Sequence, residues 1–408
     1  MRKFKSLTSL LVLICAVTCY AQNISIPDPI FKARLLNHNP IIDTNADGEI
    51  QINEALEITS SLYLSGDNSN EDNIEDLTGL EAFVNVSTIN ASNNEITSID
   101  LTPHIALENI RLNNNTLTEI DLSSNILLRL ISMYNNNLST LGLTNNPDLV
   151  SVLVSNMALG TLDTSQNPLL RNLVAENCNL SSVELSNNTN LEIIILHNNP
   201  IQELDLSNTV LVEELGLIAT PLTSLALGTL PALKKLNLIG SELAHIDVSE
   251  NNALEEVDLR NSLVLEEINF KNGTNYILDI TSAFPSNFTN LPELNRVCID
   301  DVTSALASFI LNDVGHPVTF SEDCSLLEVN ENEVATVIIH PNPTKNSITI
   351  ETQHSITYIQ LFTSYGVIIK PSLLNNNELD MGALPEGIYL LQINFNNARH
   401  LTKKIVKY

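Results

Sequence analysis

The sequence lacks tryptophan altogether, and aromatic residues make up only 4% of its 408 positions. Basic residues are also few, with 19 lysines and arginines against 48 acidic residues and a formal net charge of -29. Nucleic-acid binding depends on clustered basic side chains that neutralise phosphates, so this composition excludes a general nucleic-acid-binding function. The same acidity disfavours docking on an anionic membrane surface.

Asparagine is the residue present in excess, with 54 copies, about 13% of the chain. Hydrophobic residues account for 43% of the sequence, which is too many for a disordered protein. Asparagine at this frequency in so apolar a chain indicates a structural position that recurs many times. The composition is therefore typical of an acidic, soluble repeat protein.

Residues 1–21 have the three parts of a secretory signal peptide. Basic residues stand at the start, the apolar run LLVLICAV follows, and Ala21 occupies the expected cleavage position. The run is too short to anchor the chain across a bilayer, and no other segment approaches 18 consecutive apolar residues. A lipoprotein site at Cys19 is an alternative, although Thr18 fits poorly before it. The sequence predicts an exported protein with no transmembrane segment.

Three cysteines remain after such cleavage. Cys298 and Cys324 flank one segment of the chain, and an oxidising compartment would favour a disulfide between them. Cys178 is left over, and its place in the repeat pattern below explains it without a chemical role.

Negative charge is confined to one part of the mature chain. Residues 22–331 contain 43 acidic and ten basic residues, whereas residues 332–408 contain five acidic and six basic ones. This change in composition predicts a domain boundary near Glu331, with a short linker at 332–337 and a separate domain at 338–408.

A 21-residue period begins at Val86, where the pattern L-x-x-L-x-L-x-x-N-x-L fits nine units without a shift of register. The leading positions are Val86, Leu107, Leu128, Leu149, Leu170, Leu191, Val212, Leu233 and Leu254. The asparagine position reads Asn94, Asn115, Asn136, Met157, Cys178, Asn199, Thr220, Ser241 and Ser262. This pattern resembles the leucine-rich-repeat family, whose consensus also allows cysteine at the asparagine position. The resemblance implies a solenoid whose parallel strands form a concave face, and it makes Cys178 structural.

A second half-repeat follows each strand about ten residues later, for example at Ile120-Asp-Leu. It has its own asparagine column at Asn125, Asn146, Asn167, Asn188 and Asn251. The convex side is therefore predicted to be extended or turn-like, with little helix. Leu278 and Ile280 keep the register for a tenth coil, and Val297 with Ile299 is expected to form the last strand.

Stacked repeats need covered ends. The repeats are predicted to span 86–299, with an N-terminal cap at 22–85 and a C-terminal cap at 300–331. The whole is a mainly β protein, a leucine-rich-repeat solenoid followed by an immunoglobulin-like β-sandwich.

The N-terminal cap contains DTNADGEIQINE at 43–54, which matches the EF-hand loop pattern in full. The pattern assigns side-chain oxygens to Asp43, Asn45 and Asp47, a backbone carbonyl to Glu49, a water-mediated contact to Gln51 and a bidentate carboxylate to Glu54. Gly48 permits the sharp turn, and the segments on either side favour short helices. The sequence predicts a Ca²⁺ ion that stabilises the cap; the alternative is a polar turn that matches by chance.

The last seventy residues contain several spaced motifs, namely HPNPT at 340–344, Leu379-Asp-Met, LPEGIY at 384–389 and a terminal KKIVKY. Together they resemble the type A C-terminal sorting domain of the type IX secretion system of Bacteroidetes, with His340 where an aromatic residue often precedes PNP. The resemblance implies recognition by the type IX machinery, and release or surface attachment outside the cell. The alternative is an ordinary immunoglobulin-like binding module.

No metalloprotease, serine-hydrolase, P-loop or C-x-x-C motif occurs, so the sequence predicts a protein that is not an enzyme. Repeated acids such as Asp100, Asp121 and Asp163 could recruit cations or bond to turns. Side chains alternate between inward and outward along each strand, and the outward ones in the middle repeats are apolar. Arg111, Lys235 and Arg260 lie at the rim of these apolar side chains. This predicted apolar patch consists of Leu130, Tyr134, Leu153, Val174, Ile193, Ile195, His197, Ile218 and Ile239.

Exposed apolar patches commonly mark interaction sites, so the favoured function is an adhesin-like protein that binds a protein ligand on its concave face. Tyr134 is the one aromatic residue expected there, which argues against a sugar-stacking platform. The patch could also be aliphatic filler without a ligand. A secreted hydrolase or inhibitor, and a structural surface-layer protein, are the alternative functions.

Overall fold

The computed structural model describes residues 22–67, 72–228, 230–273, 286–324, 337–352, 356–363, 368–369, 372–375, 378–395 and 400–408. The chain divides into two compact units, Met1–Cys324 and Ser325–Tyr408. The predicted signal peptide, the predicted tenth-coil residues Leu278 and Ile280, and residues 332–336 of the predicted linker lie outside the described residues.

The first unit is a solenoid built on one ten-stranded parallel sheet. Its strands, in spatial order, are β1 Ser61–Tyr63, β2 Thr88–Asn90, β3 Asn109–Arg111, β4 Leu130–Ser132, β5 Ser151–Leu153, β7 Asn172–Val174, β9 Ile193–Ile195, β10 Glu214–Gly216, β11 Lys235–Asn237 and β13 Glu256–Asp258. From β2 to β13 every residue pairs with its equivalent in the next repeat, as Ile110 does with Ile131. The predicted register is confirmed over this sheet.

The middle residue of each strand faces the interior, and its two neighbours face outward. Ile110 and Leu112 are fully buried, as are the leading residues Leu107 and Leu128. One coil alone cannot bury such residues, so the core forms only when coils stack. The buried hydrophobic residues of the unit, apart from the disulfide-bonded Cys298, make a single cluster.

Asparagine has two roles where the chain leaves each strand. Asn114 takes the left-handed conformation, φ 56°, which asparagine tolerates better than most residues. Asn115 lies inside the turn, where its Oδ1 accepts the Ile96 N–H at 3.1 Å and its Nδ2 donates to the Ala91 carbonyl at 3.0 Å. This ladder satisfies backbone groups that neighbouring coils would otherwise leave unpaired. The repeated use of these positions explains much of the asparagine content.

The other side of each coil is extended, as the second half-repeat predicts, and no helix occurs in the described coils from 88 to 273. Buried Asn125 and Asn146 each donate two hydrogen bonds from Nδ2 to carbonyls of the preceding coil. His104 takes this position in the first coil, and its Nε2 lies 3.1 Å from the Leu80 carbonyl oxygen. Short strands form here where neighbouring coils align, namely the pair β6 Thr161–Asp163 and β8 Ser182–Glu184.

The end of the solenoid differs from the prediction. Val297 lies in β15 Arg296–Cys298, but this strand pairs with β14 Glu267–Asn269 on the second side, in a four-stranded sheet completed by β12 His245–Asp247 and β16 Thr319–Ser321. It is therefore not the last strand of the ten-stranded sheet. That sheet continues through a bridge from Asp258 to Asn287, because the last coil is longer than the regular repeat.

Helices occur at the two caps of the solenoid. The N-terminal cap has α1 Pro29–Leu36, α2 Ile52–Glu57 and a 3-10 turn at Leu80–Ala82. The C-terminal cap has α3 Ala305–Val314, which begins after the N-cap Ser304 and ends at Gly315 in the left-handed conformation. Leu306 and Ile310 of α3 are fully buried in the solenoid core.

The second unit contains two antiparallel four-stranded sheets. One consists of β17 Ile338–His340, β18 Ser347–Glu351, β22 Glu378–Asp380 and β21 Ser372–Asn375, in that order. The other consists of β20 Ile368–Ile369, β19 Ile356–Thr363, β23 Gly387–Phe395 and β24 His400–Lys407. Ile348 and Leu379 from the first sheet share one core with Leu361, Leu391 and Ile405 from the second.

Candidate functional site

The predicted calcium loop lies between two helices, as expected, and the side chains at its two ends secure it. Its backbone winds tightly, with Ala46 at φ 59° and Gly48 at φ 81°. Asp43 Oδ2 accepts the Gly48 N–H at 3.0 Å. Buried Glu54 accepts the Thr44 N–H at 2.8 Å through Oε1 and the Gln51 N–H at 3.0 Å through Oε2.

The remaining predicted ligands bond to one another. Gln51 donates through Nε2 to Asp47 Oδ2 at 3.0 Å, and Asn45 donates through Nδ2 to Gln51 Oε1 at 2.8 Å. The Glu49 side chain turns away to pair with Lys32 at 2.6 Å, which leaves its backbone carbonyl as the predicted ligand. A hydrogen bond from the Glu49 N–H lowers the pKa of Asp47, so this carboxylate is ionised at neutral pH.

These residues fit a calcium ion in two respects: their donors are all hard oxygens, and the loop follows a tight turn around them. Their carboxylates are not gathered, however. Within the described residues, no group of three or more His, Cys, Asp or Glu side chains is arranged to hold a metal ion.

The predicted patch lies on what we call the strand face, meaning the outward-pointing side chains of the ten-stranded sheet. Leu153, Val174 and Ile195 are direct neighbours on adjacent strands, which confirms that they stack. Tyr134 is 37% exposed, and the other patch residues are half-buried by their neighbours. The patch is therefore continuous but only moderately exposed.

One aromatic residue on the strand face was not predicted from the sequence. Tyr63 in β1 is paired in register with Asn90, points outward, and at 57% exposure is more accessible than Tyr134. Its ring stacks on that of buried His38, with 6.1 Å between centroids. The expectation that Tyr134 is the one outward aromatic residue is wrong, because β1 precedes β2 by more than one repeat period and so falls outside the repeat register.

His197 belongs to the patch but is not a free imidazole. Its Nδ1 accepts the Ile218 N–H at 2.9 Å, which orients the ring along the strand face. Burial lowers the pKa of His197 to about 4, so the ring is neutral at physiological pH. Two of the three predicted rim bases are paired, Lys235 with Glu256 at 3.2 Å and Arg260 with Asp258 at 2.9 Å.

A second apolar surface, which the sequence analysis did not identify, is more exposed than the patch. It occupies the two positions before the leading residue of several coils, and we call it the edge row. Its members are 44–64% exposed and comprise Ile105, Ile126, Leu127, Leu169, Val210 and Leu211. Runs such as Ile126-Leu127-Leu128 were a signal, because three consecutive apolar residues cannot all face the interior of a coil.

The repeated acids on the second side bond to turns. Asp100 Oδ1 accepts both the N–H and the hydroxyl of Thr102, at 2.9 and 2.7 Å. The hydroxyl contact lowers the pKa of Asp100, and the same arrangement lowers the pKa of Asp121, Asp163 and Glu184. Of the two roles considered for these acids, the structure thus shows the bonding to turns.

The cysteines form the predicted disulfide and leave Cys178 as a free thiol. Cys298 and Cys324 form a disulfide with their Cα atoms 5.5 Å apart. Cys178 is fully buried at the ladder position, and its Sγ lies 2.9 Å from the Val154 carbonyl oxygen. Burial raises the pKa of Cys178, which keeps it a thiol rather than a nucleophilic thiolate.

The landmarks of the C-terminal unit contact one another. Asn342, in the HPNPT motif, accepts the Val406 N–H at 2.9 Å and donates to the Lys404 carbonyl at 2.7 Å. Tyr389 donates its hydroxyl to the Pro385 carbonyl at 2.7 Å within the LPEGIY motif. The motifs that are distant in sequence therefore fasten the two ends of this unit together.

Residues 338–408 match the family model described as the secretion system C-terminal sorting domain. Among solved structures, the chain is similar to the internalin InlF of Listeria monocytogenes, at 19% identity over 67% of this chain and 82% of that one, with a TM-score of 0.52. The functional domain of InlJ from Listeria monocytogenes, which includes a cysteine ladder, is similar at 18% identity over 95% of this chain and 99% of that one, with a TM-score of 0.47. No curated protein matches the chain.

The chain thus combines a leucine-rich-repeat solenoid, whose fold is similar to that of the internalin InlF, with a type IX C-terminal sorting domain. The sorting domain marks the chain as a secreted or cell-surface protein. In the described part of the chain, no helix is long and apolar enough to cross a membrane.

Proposed function

We propose that this protein is a non-catalytic, adhesin-like binding protein that recognises a protein ligand through its strand face outside the cell. The observation that supports the proposal most directly is the continuous column Leu153, Val174 and Ile195, which points away from the core. Removal of aliphatic side chains from contact with water lowers the free energy, so a row of them on an outward face favours binding of a partner that covers the row.

The patch has the anatomy of an interface. Its centre is aliphatic, and it is bordered on one side by the ion pairs of Lys235 and Arg260 and on the other by Arg111. Protein interfaces commonly combine an apolar centre with a polar rim. Exposed Tyr63 and Tyr134 add aromatic side chains of the kind that dominate binding energy.

The decisive experiment is a capture of surface proteins from host or neighbouring cells with the purified chain, followed by affinity measurement on Val174→Glu. Because the charge would be buried against an apolar partner, we expect binding to weaken at least ~30-fold, about 2 kcal/mol. The melting temperature should change far less than for the core substitution Leu112→Ala, which should cost about 2–5 kcal/mol.

Leu169→Glu is the matched control, because it places the same charge on the edge row instead of the strand face. Unchanged binding of this variant together with lost binding of Val174→Glu supports the strand face. Lost binding of Leu169→Glu alone would move the interface to the edge row, and unchanged binding of both would contradict the proposal.

We further propose that residues 43–54 hold a Ca²⁺ ion that stabilises the N-terminal cap. Asp43, Asn45, Asp47, the Glu49 carbonyl and Glu54 supply the hard oxygens that calcium prefers. Asp47 and Glu54 would exchange their present hydrogen-bond partners for the ion. The ion would draw together the three carboxylates of the loop, which are not gathered around one point in the structure.

Two other functions have distinct tests. A secreted hydrolase or inhibitor would be revealed by an activity screen of the purified chain against peptides and glycans. A structural surface-layer role would be revealed by self-assembly of the purified chain, measured by light scattering.

A further inference from the structure

The aliphatic column of the strand face is interrupted by a glycine. Ile195 pairs with Gly216, which pairs in turn with Asn237. A Cβ atom at Gly216 would clash with Cε1 of His197 and lie 2.9 Å from Cδ1 of Ile195. The side chains of His197 and Ile195 therefore lie close over Gly216, and Gly216 lines a recess of about 110 Å³ together with them. This volume suits the end of one side chain rather than a whole ligand.

The walls of the recess differ in chemistry. Ile195 and the imidazole of His197 form an apolar wall. The rest of the lining includes three acidic residues, Glu214, Glu256 and Asp258, and one basic residue, Lys235. Glu256 and Asp258 are only 8% exposed, so the field of these carboxylates is little screened by water. The recess therefore has an excess of negative charge beside an aromatic ring.

One acid in the recess is not engaged by the protein itself. Lys235 pairs with Glu256 at 3.2 Å, and Arg260 at the margin pairs with Asp258 at 2.9 Å. Within the described residues, Glu214 has no ion-pair partner within 4.0 Å. His197 is neutral at physiological pH because burial lowers its pKa to about 4, so it adds no positive charge to the recess.

We propose that this recess is a specificity pocket for one arginine side chain of the protein ligand, a proposal that rests on the proposed function. A guanidinium is planar and weakly hydrated, so it can lie against the His197 ring while it pairs with the Glu214 carboxylate. The methylene stem would continue over Ile195 onto the apolar patch. Residues 22–331 carry 43 acidic and ten basic residues, so the long-range field also attracts a basic partner.

The test needs no partner protein. The full chain is titrated with N-acetyl-arginine methylamide, and the NMR signal of the His197 ring, assigned with His197→Gln, is followed. We expect a saturable shift with a Kd in the millimolar range, weakened by added salt. The citrulline analogue has the same shape without the charge and should bind at least ten-fold more weakly, and the leucine analogue should bind no better than citrulline.

Two variants locate the binding. Gly216→Ala adds a Cβ that must displace the His197 and Ile195 side chains lining the recess, and it should abolish the shift, whereas Gly142→Ala, where a Cβ meets nothing within 4 Å, should leave it unchanged. Glu214→Gln preserves shape and should weaken binding several-fold; it decides the matter if Gly216→Ala does not fold. Equal binding of arginine and citrulline analogues, stronger binding of the leucine analogue, or full binding by a folded Gly216→Ala would each overturn the pocket. A captured ligand sensitive to Val174→Glu but not to Gly216→Ala would overturn the pocket and leave the proposed function standing.

Discussion

The two units of this chain form β structure in different ways, which differ in the length and the pairing of their strands. The strands of the solenoid are short and parallel, and from β2 to β13 they pair at a constant separation of one repeat. In the C-terminal unit, β23 is long and pairs antiparallel on both sides. Strands as short as those of the solenoid carry too few backbone hydrogen bonds to hold the coils together alone. The solenoid adds buried asparagine side chains that bond from coil to coil, such as Asn115 and Asn146.

The units also differ in charge and in the way their motifs act. Acidic residues outnumber basic ones about four-fold in residues 22–331 and are nearly balanced by them in residues 332–408. The solenoid presents a long surface, while the motifs of the sorting domain mainly join its own strands. The surface proposed for recognition and the sorting domain thus lie in separate parts of the chain, each with its own hydrophobic core.

Deletion of residues 338–408 should have the largest effect of the changes considered, because it should stop export without unfolding the solenoid. Because the solenoid has its own core, we expect the truncated chain to fold and to show the melting transition of that unit. Because it lacks the sorting domain, we expect it to accumulate in the periplasm of a host with type IX secretion. Fractionation checks the location and calorimetry the fold; normal appearance outside the cell would refute the sorting role.

Calcium should stabilise the cap of the solenoid and leave the C-terminal unit unaffected. An extracellular site with a Kd near 10⁻⁴–10⁻³ M would gain about 1–3 kcal/mol at roughly 10 mM calcium. Asp47→Asn keeps the hydrogen-bond acceptors of the loop while it removes one charge, so the gain should shrink.

Asp148→Asn, at an exposed acid outside the loop, is the matched control and should retain the full gain. The measurement is the melting temperature with chelator and with calcium. If the wild-type chain melts identically under both conditions, residues 43–54 do not bind calcium.

The importance of the asparagine ladder can be tested at two adjacent residues. Asn146 is fully buried and donates to the Leu122 and Asn125 carbonyls, whereas Asn145 is exposed. Asn146→Ala removes two buried hydrogen bonds, although the Leu122 and Asn125 carbonyls each keep one backbone N–H partner, and it should cost about 1–3 kcal/mol of unfolding free energy. Asn145→Ala should stay within about 0.5 kcal/mol of wild type. Equal denaturant midpoints for the two variants would show that the ladder contributes no stability.

The smallest expected effect is the contribution of His197 to the pH dependence of stability. Its pKa is about 4 in the folded chain and 6.5 in the unfolded one, so the unfolded chain binds more protons between these values. Stability therefore falls as pH drops from 6.5 towards 4, by no more than about 2 kcal/mol because the ring is partly solvated. His197→Gln should remove this part of the pH dependence. Parallel stability curves for both proteins between pH 7 and 4.5 would contradict it.

The ten-stranded sheet was predictable because one register accounts for it from β2 to β13. Outside this register the predictions from the sequence were wrong. Tyr63 lies on a strand separated from the next by more than one repeat, and Val297 lies on the second side of the solenoid. The edge row was missed because a repeat pattern identifies buried positions well but does not rank exposed ones. The loop at 43–54 was predicted as a calcium site from its residue types, but the hydrogen bonds that these residues make with one another could not be predicted.

The sequence by itself determined the solenoid, its period and the nature of its C-terminal domain, because repeated leucines must be buried and repeated asparagines must bond to the backbone. Only the tertiary structure decided where the coils lengthen, which apolar residues remain exposed and how deep the strand face is at Gly216. These properties depend on the side chains of neighbouring coils, which lie at least one full repeat away along the chain. In the sequence Gly216 is one residue of a strand; only the structure shows that His197 and Ile195 of the adjacent coil lie close over it and line a recess with it.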